Sequence, residues 1–516
     1  LKDRLRRAPL SLLPAAVVLA IVSWVFVVLN DQMFHYDFAY DESYFVWCGW
    51  CITKGLVVYR DFMEFKAPVL FFTHALAVAV FGLAGFGYRW FFLLFPLGSV
   101  LALMAAVLSR GIGKLATLAL GLAIVQLWVN MRYHDTALTD SESVGLAYYF
   151  LAVACLVART RFGDRLKIAG GAFLVACALS KEPFLLTAIA TWAACFLLDV
   201  RRPTQRAEAV AYFKATAIGG GALVAVLCLY MIPTGAMKAY VNMVSGYINL
   251  YRDPKMSYCV LLGRFHPTTP LNDLLVQYRQ VRHEYLNLEY LGYLVPFLLV
   301  TLVFTMWRSP LLLAATFVAI VFGFSAVTAS NCLWFHYYNM TMGGLFFACI
   351  VGLDSMTRMV RSPLVRGGVG LALLVSALWV TWPRYEAEVQ SFGTRTTKDF
   401  YRELIPGSFA AIAKYTTPAD NIVTTGPPLL YMQVDRKNGV KESTIMDEAL
   451  GFYQGDTDEQ RLSGVRAELE LNMPKIVVLD PENEHRKVRH NRALMMPFLN
   501  AHRYTEVSPH VWLRPN

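Results

Sequence analysis

Long apolar runs constrain this chain more than any other feature of its sequence. Uncharged and mostly apolar runs occur at residues 10–29, 290–306, 311–329 and 367–382. A helix needs roughly 20 such residues to cross a bilayer, and hydrocarbon excludes unpaired backbone amides. Only 16% of the residues are charged, against about 25% in a soluble protein. We therefore expect an integral membrane protein, with residues 10–29 as a retained first span and not a cleaved signal peptide.

Lysine and arginine occur in short clusters between the apolar runs. The clusters lie at residues 2–7, 110–114, 159–167, 201–214, 308 and 358–366. Basic loops favour the cytoplasmic side, so the chain must cross the membrane an even number of times between them. This parity predicts that residues 168–200 form a hairpin turning at 180–183, and that residues 67–85 form a juxtamembrane or re-entrant helix. The net charge of +10 then reflects topology and not a nucleic-acid partner.

The layout predicts an all-α polytopic membrane domain over residues 1–382, with about eleven spans and the N-terminus inside. The spans are expected at residues 9–29, 90–109, 115–130, 144–158, 168–181, 184–199, 213–232, 289–307, 310–329, 337–353 and 367–382. The outer segments are then 30–89, 131–143, 233–288 and 330–339.

After residue 383 the composition becomes charged and polar, which predicts a small extracytoplasmic α/β domain over residues 383–516. Hydrophobic periodicity predicts its elements. Helices are expected at 396–415 and 457–471, and strands at 421–425, 475–479 and 510–514.

The first outer segment holds acidic and basic side chains at the membrane edge. Asp41 and Glu42 open a predicted amphipathic helix that ends at Gly55. Tyr59, Arg60, Asp61 and Lys66 follow. Carboxylates here are candidate general bases, and the cations are candidate phosphate ligands. The alternative is structural, with Asp41 capping the helix and Lys66 extending along the interface to water.

Two later outer segments repeat this pattern. Asp140 and Glu142 precede a span, although residues 139–142 also fit a helix capping box. Lys181 lies in the predicted hairpin turn close to hydrocarbon, where a charge is costly unless it is paired. His336 and Tyr337 lie in an aromatic segment that would also suit an interfacial belt.

The cysteines indicate no disulfide framework and no zinc site. Cys48 and Cys51 form one CxxC in the predicted first-loop helix, without a second Cys/His pair nearby. We expect packing or a loose helical pair there and not redox chemistry. No cofactor is expected, and a divalent metal is left open.

These motifs resemble those of the GT-C membrane glycosyltransferases. The likeness is to the branch that includes bacterial aminoarabinose transferase and the protein O-mannosyltransferases. It rests on Asp41-Glu42, Tyr44, Gly55, Tyr59-Arg60-Asp61, Lys66-Ala67-Pro68, Thr139-Asp140-Ser141-Glu142, Ser180-Lys181-Glu182 and His336-Tyr337-Tyr338. One departure is Ala67, where that branch usually has proline or glycine.

The resemblance implies inverting transfer of a sugar from a polyprenyl-phosphate donor to a hydroxyl or amine at the outer face. The acceptor would be a lipid, a glycan or a protein, and the location a bacterial inner (plasma) membrane. Asp41 would be the general base, with Glu42 beside it. Side chains expected to orient donor or acceptor are Asp140, Glu142, Tyr59 and Asp61. Those expected to bind the phosphate carrier are Arg60, Lys66, Lys181, His336 and Tyr337.

Two other functions are weighed against this one. A polymerase or ligase of lipid-linked glycans would also need basic outer loops, but it would not require two acidic clusters. A transporter should carry ionisable residues near the bilayer midplane on broken helices, often in inverted repeats. No repeat is evident in the sequence, and the polar clusters lie at one edge of the expected membrane domain.

Overall fold

The computed structural model divides the chain into two compact units. The first unit comprises Leu1–Tyr36, Phe91–Val226 and Tyr258–Thr396, and the second comprises Asp37–Trp90, Leu227–Ser257 and Thr397–Asn516. The structure describes residues 2–35, 40–64, 66–130, 138–160, 162–199, 206–252, 294–329, 338–392, 400–401, 403–441, 458–480 and 489–515. The division of the sequence at residues 382 and 383 rests on composition and stays a prediction.

Helices account for most of the described residues up to residue 392. They are α1 (Lys2–Asn30), α2 (Tyr40–Thr53), α3 (Pro68–Phe81), α4 (Gly87–Ser109), α5 (Lys114–Asn130), α6 (Ser141–Val157), α7 (Gly163–Ala178), α8 (Phe184–Asp199), α9 (Arg206–Met231), α10 (Ala236–Arg252), α11 (Val295–Arg308), α12 (Pro310–Ala329), α13 (Tyr338–Met359) and α14 (Pro363–Ser391). Short 3-10 helices lie at Asp31–Phe34 and Ala84–Phe86.

Four helical segments among the described residues are long and apolar enough to cross a membrane. They are Leu13–Phe34, Ala84–Ser109, Ala207–Met231 and Pro363–Ser391. Their length and composition identify an integral membrane protein. Each of the eleven predicted spans overlaps a helix of the structure. The number of crossings stays a prediction.

The hairpin predicted at residues 168–200, from the even number of crossings between basic loops, is present. Helix α7 ends at Ala178 and α8 begins at Phe184, so the chain turns at the predicted residues. Ser180 and Lys181 both donate their backbone N–H groups to the Cys177 carbonyl, which closes the first helix. Pro183 has no N–H to place and suits the start of the second helix.

The basic loops meet at one end of the first unit. Arg110, Arg308 and Arg358, from three separate loops, all contact the carboxylate of Asp354. The Arg308 guanidinium also donates to the Leu198 carbonyl, next to the 201–214 cluster. The backbone N–H of Arg159 donates to the Ser109 hydroxyl.

Five of the six predicted basic loops therefore lie at the same end of the helices, as the parity argument required. That this end faces the cytoplasm stays a prediction.

Helix α14 continues without interruption through Pro383 to Ser391. Its first turn follows Ser362, whose hydroxyl accepts the Val365 N–H at 3.4 Å, and Pro363 occupies the first helical position. Near its other end Tyr385 accepts a hydrogen bond from the Trp24 indole at 2.7 Å, which ties α14 to α1.

The second unit contains a five-stranded sheet. The strands are β1 (Asn421–Thr424), β2 (Lys437–Asn438), β3 (Ile476–Val478), β4 (Thr505–Ser508) and β5 (Val511–Leu513), in the order β2-β1-β3-β5-β4. The first three are parallel, and β5 and β4 are antiparallel additions. Helices α15 (Ser408–Tyr415), α16 (Leu429–Val434), α17 (Asp458–Asn472) and α18 (Arg489–Ala501) accompany the sheet. Val423, Val477, Leu469 and Phe498 are among the buried side chains of its core.

The predicted strands at 421–425, 475–479 and 510–514 and the helix at 457–471 are confirmed within one or two residues. The helix predicted at 396–415 does not include the described residues that precede Ser408. It begins only at Ser408, because Gly407 takes a left-handed conformation with φ of 83° after Pro406. Strands β2 and β4 and helices α16 and α18 were not predicted.

The predicted helix after Asp41 is confirmed, but its amphipathic character was wrong. Residues 42–51 are buried on every side. At Gly49 an added Cβ would lie 2.6 Å from the backbone carbonyl carbon of His74, so only glycine permits this contact with α3. The Trp47 ring contacts Phe62 and Tyr431. The helix ends at Thr53, two residues before the predicted end at Gly55, which takes a left-handed φ of 83°.

Candidate active site

Glu142 and Lys181 form a buried ion pair in the first unit. Helix α6 places Glu142 in its first turn, and the α7–α8 turn supplies Lys181. The ammonium Nζ lies 2.7 Å from Glu142 Oε1, and the two side chains are only 8% and 3% exposed. The Ser141 hydroxyl donates to Glu142 Oε2 at 2.8 Å. The sequence singled out both residues, and the structure brings them together.

This pair is electrically neutral, and its burial makes it sensitive to change. Desolvating two charges costs several kcal/mol each, and the attraction between them offsets that cost only while both are present. Removing one partner of such a pair typically costs about 3–5 kcal/mol. The pair therefore fixes the α7–α8 turn against the start of α6.

Asp140 has no capping function of the kind its sequence context allowed. It stands at the N-cap of α6 and is 6% exposed, but its side chain accepts no capping hydrogen bond from the helix. A capping box starting at Thr139 would need Thr139 at the N-cap, but the helix begins one residue later, so Glu142 occupies its second position and not the third. The Glu142 carboxylate contacts Lys181 instead. The capping box allowed by the sequence at residues 139–142 is therefore not formed.

In the second unit, Glu42 is held by two residues from the start of α4. Its Oε1 accepts hydrogen bonds from the Tyr88 hydroxyl at 2.6 Å and from Arg89 Nε at 2.8 Å, and its Oε2 accepts from an Arg89 terminal nitrogen at 2.9 Å. Glu42 and Arg89 are both completely buried. The Arg89 guanidinium also lies 4.0 Å from the centre of the Phe86 ring, in cation–π contact.

Sequence reasoning missed Arg89 and Tyr88. A single arginine before a long apolar run looks the same as an interfacial arginine, and nothing in the spacing identifies Glu42 as its partner. Asp41 directly precedes Glu42 in the first turn of α2. The Asp41 side chain lies outside the described residues, and so do His336 and Tyr337.

The loop after α2 holds a second charged pair. Arg60 donates hydrogen bonds to both carboxylate oxygens of Asp61, from Nε at 2.7 Å and from a terminal nitrogen at 2.8 Å. It also donates to the Thr234 carbonyl. The Arg60 side chain is 51% exposed, so this is a surface pair. The hydrogen bond from Arg60 lowers the pKa of Asp61 below its ordinary value of 3.8. Asp61 also accepts the Val57 N–H, which closes the loop on itself.

Tyr59 and Lys66 meet through the backbone. The buried Tyr59 hydroxyl donates to the Lys66 carbonyl at 2.6 Å, and Tyr59 itself takes a φ of 65°, which is uncommon for a residue with a Cβ. The Tyr59 ring contacts Phe71 and Tyr240. The Tyr59 side chain therefore helps to hold the shape of the 59–66 loop.

Cys48 and Cys51 are buried free thiols. Burial raises the pKa of both thiols well above the ordinary value, so neither forms a thiolate readily. This supports the packing interpretation of the CxxC. Among the described residues, no group of three or more His, Cys, Asp or Glu side chains is placed to hold a metal ion.

Comparison with solved structures gives several matches at low sequence identity. ArnT from Cupriavidus metallidurans, solved bound to undecaprenyl phosphate, matches with a TM-score of 0.53 and 13% identity, over 96% of this chain and 97% of that one. The Archaeoglobus fulgidus oligosaccharyltransferase AglB, in complex with an inhibitory peptide and a dolichol-phosphate, gives 0.47 and 12%, over 91% and 69%. The oligosaccharyltransferase of that organism in complex with Zn and sulfate gives 0.48 and 13%, over 90% and 68%. No model of a protein family matches the sequence, and neither does any curated protein.

Proposed function

Because this chain has the GT-C fold, as the resemblance in its sequence predicted, we propose that it is a membrane glycosyltransferase. The donor would be a sugar on a polyprenyl phosphate, and the acceptor a hydroxyl or amine at the outer face of a bacterial inner membrane. The observation that carries this proposal is the match to ArnT, which extends over nearly the whole of both chains.

The chemistry needs a base and a cation-lined phosphate site. The acceptor oxygen or nitrogen attacks the anomeric carbon while its proton passes to Asp41. The bond from that carbon to the phosphate oxygen breaks, and both electrons leave with the polyprenyl phosphate. Attack opposite the leaving group inverts the anomeric configuration. Positioned bases typically contribute about 10²–10⁴-fold, and cations stabilise the charge that develops on the phosphate.

The surroundings of Glu42 favour a positioning role over the catalytic role first assigned to it. Its carboxylate accepts three hydrogen bonds and is completely buried, so it has no exposed surface to offer a substrate. Through Arg89 it anchors the first turn of α2, which carries Asp41. We assign Glu42 and Arg89 to holding that turn in place.

Within the proposal, Asp140 and Glu142 orient sugar or acceptor hydroxyls, with Asp61. Tyr59 supports the 59–66 loop. Arg60, Lys66, Lys181, His336 and Tyr337 bind the phosphate carrier. Because Glu142 already neutralises Lys181, an incoming phosphate would compete with Glu142 for that ammonium. A glycan polymerase or ligase would place the same groups around a larger acceptor.

The test is transfer by the purified full-length protein in nanodiscs. The probes are undecaprenyl-phosphate sugars of several kinds, with release of undecaprenyl phosphate as the readout. The Asp41→Asn variant should lose about 10²-fold or more of the activity. The matched control is Asp164→Asn, because the Asp164 side chain is 83% exposed on α7.

Equal activity of Asp41→Asn and the control would refute the role of Asp41. A protein that releases no undecaprenyl phosphate but moves a solute across vesicles would refute the transferase proposal altogether.

A further inference from the structure

Three arginines converge on one buried carboxylate in the first unit. Asp354 is fully buried on α13. Its Oδ1 lies 2.8 Å from Arg110 Nε, and its Oδ2 lies 2.7 Å from an Arg308 terminal nitrogen and 2.8 Å from Arg358 Nε. We call these four residues the Asp354 cluster.

The Asp354 cluster carries a surplus of positive charge. Three guanidinium groups against one carboxylate leave two positive charges over. Backbone carbonyls take part of the hydrogen bonding, because Arg110 donates to Val157 and Arg308 donates to Leu198. Arg358 contacts only Asp354 within the described part of the chain, and this leaves one of its terminal nitrogens with two unused N–H donors.

The cluster also stands where a membrane span ends. Arg110 directly follows the apolar segment Ala84–Ser109, and the segment Pro363–Ser391 begins four residues after Met359, which ends α13. Arg110 is 0% exposed, whereas the Arg308 and Arg358 side chains are 16% and 17% exposed. The two outer arginines are thus partly accessible at the end of candidate spans, where lipid phosphates are expected.

We propose that Arg308 and Arg358 bind the phosphate of one anionic phospholipid headgroup. A guanidinium presents paired N–H donors that match phosphate oxygens and stays charged at the membrane surface. A headgroup with net negative charge, such as phosphatidylglycerol, offsets the surplus. Phosphatidylcholine brings a cation along with its phosphate and does not. This site is independent of the proposed transfer reaction, because it is read out by lipid binding alone.

The experiment is lipid titration of the full-length protein, purified in detergent and stripped of lipid, followed by native mass spectrometry. Phosphatidylglycerol should bind at one site with a preference of fivefold or more over phosphatidylcholine. Arg308→Gln and Arg358→Gln should each weaken that preference about fivefold, as expected for one interfacial arginine. Arg361→Gln, an exposed position outside the cluster, is the control and should leave it unchanged.

Arg358→Lys keeps the charge but loses the paired donors, so it should retain part of the preference even if Arg358→Gln folds poorly. Equal binding of both lipids by the unaltered protein would overturn the proposal. So would inorganic phosphate that protects the protein against heat as well as phosphatidylglycerol does, because the site would then take a free anion.

Discussion

Helix α6 has a buried ion cluster at each end, and the two are built in opposite ways. Near its start Glu142 pairs with Lys181, one charge against one. At its end the Val157 carbonyl joins the Asp354 cluster through Arg110, where one carboxylate meets three cations. Glu142 and Val157 are fifteen positions apart, which corresponds to about 22 Å of helix. One end is balanced and closed, and the other carries surplus charge and is partly open.

The difference shows that burial alone does not indicate what a charged group does. In a balanced pair such as Glu142 and Lys181, each charge offsets the other out of water. A cluster with surplus charge needs water or an anion nearby. Breaking the two clusters should therefore lower the free energy of unfolding by different amounts. The order of those losses tests the comparison.

The largest effect is expected for Asp354→Asn. Arginine cannot lose its proton in a protein, so the three guanidinium groups would repel one another without the carboxylate charge that attracts them all. We expect a loss at or above the upper end of the roughly 3–5 kcal/mol range for a broken buried pair, measured by denaturant unfolding in detergent. Asp164→Asn again serves as the exposed control. A loss below about 1 kcal/mol would mean that Asp354 does not hold the cluster together.

A smaller loss, about 3 kcal/mol, is expected for Lys181→Met. In this variant Glu142 can take up a proton and become neutral, which limits the loss of stability. The double variant Glu142→Gln with Lys181→Met should recover much of that stability, because neither charge is then left alone. If the losses of the two single variants simply add in the double variant, the residues are not coupled and the pairing is wrong.

The smallest effect is expected for Arg60→Gln, which removes the exposed pair in the second unit. The pKa of Asp61 is lowered in the folded protein, so the pair contributes above the ordinary value of 3.8, and its contribution is lost as the pH falls through the lower folded value. Without Arg60 that acid-dependent loss should shrink.

The measurement for this pair is the unfolding temperature of both proteins between pH 2.5 and 5 in steps of about half a unit. Parallel curves for the variant and the unaltered protein would show that Arg60 does not set the pKa of Asp61.

Much of the helical layout was predictable because hydrocarbon leaves few choices. Charge placement alone located the turn at residues 180–183, and apolar patterning located β1, β3 and β5. The likeness in fold to ArnT agrees with the resemblance carried by motifs in the right order along the chain. Each of these features is local in sequence or is forced by the membrane.

Partnerships between distant residues were not predictable. Lys181 has Glu182 beside it in sequence, yet it contacts Glu142. Asp354 lies one turn before Arg358 and resembles the ordinary polar end of a span, and nothing local indicates Arg110 or Arg308 as partners. Glu42 and Arg89 are 47 positions apart. Such pairs depend on which helix ends meet, and a single sequence does not contain that information.

The proline inside α14 has a consequence for how this helix leaves the bilayer. At 1.5 Å per residue its 29 residues extend about 44 Å, well beyond a hydrocarbon layer of roughly 30 Å. Pro383 lies about 30 Å from the helix start, and it leaves the carbonyl of Trp379, four residues earlier, without its usual donor. Trp379 and Trp382 are 81% and 57% exposed, as suits residues that anchor at headgroup depth. The one backbone hydrogen bond that Pro383 removes thus lies where water can hydrate the Trp379 carbonyl. Bending the helix at that level costs less free energy than bending it deeper in the span.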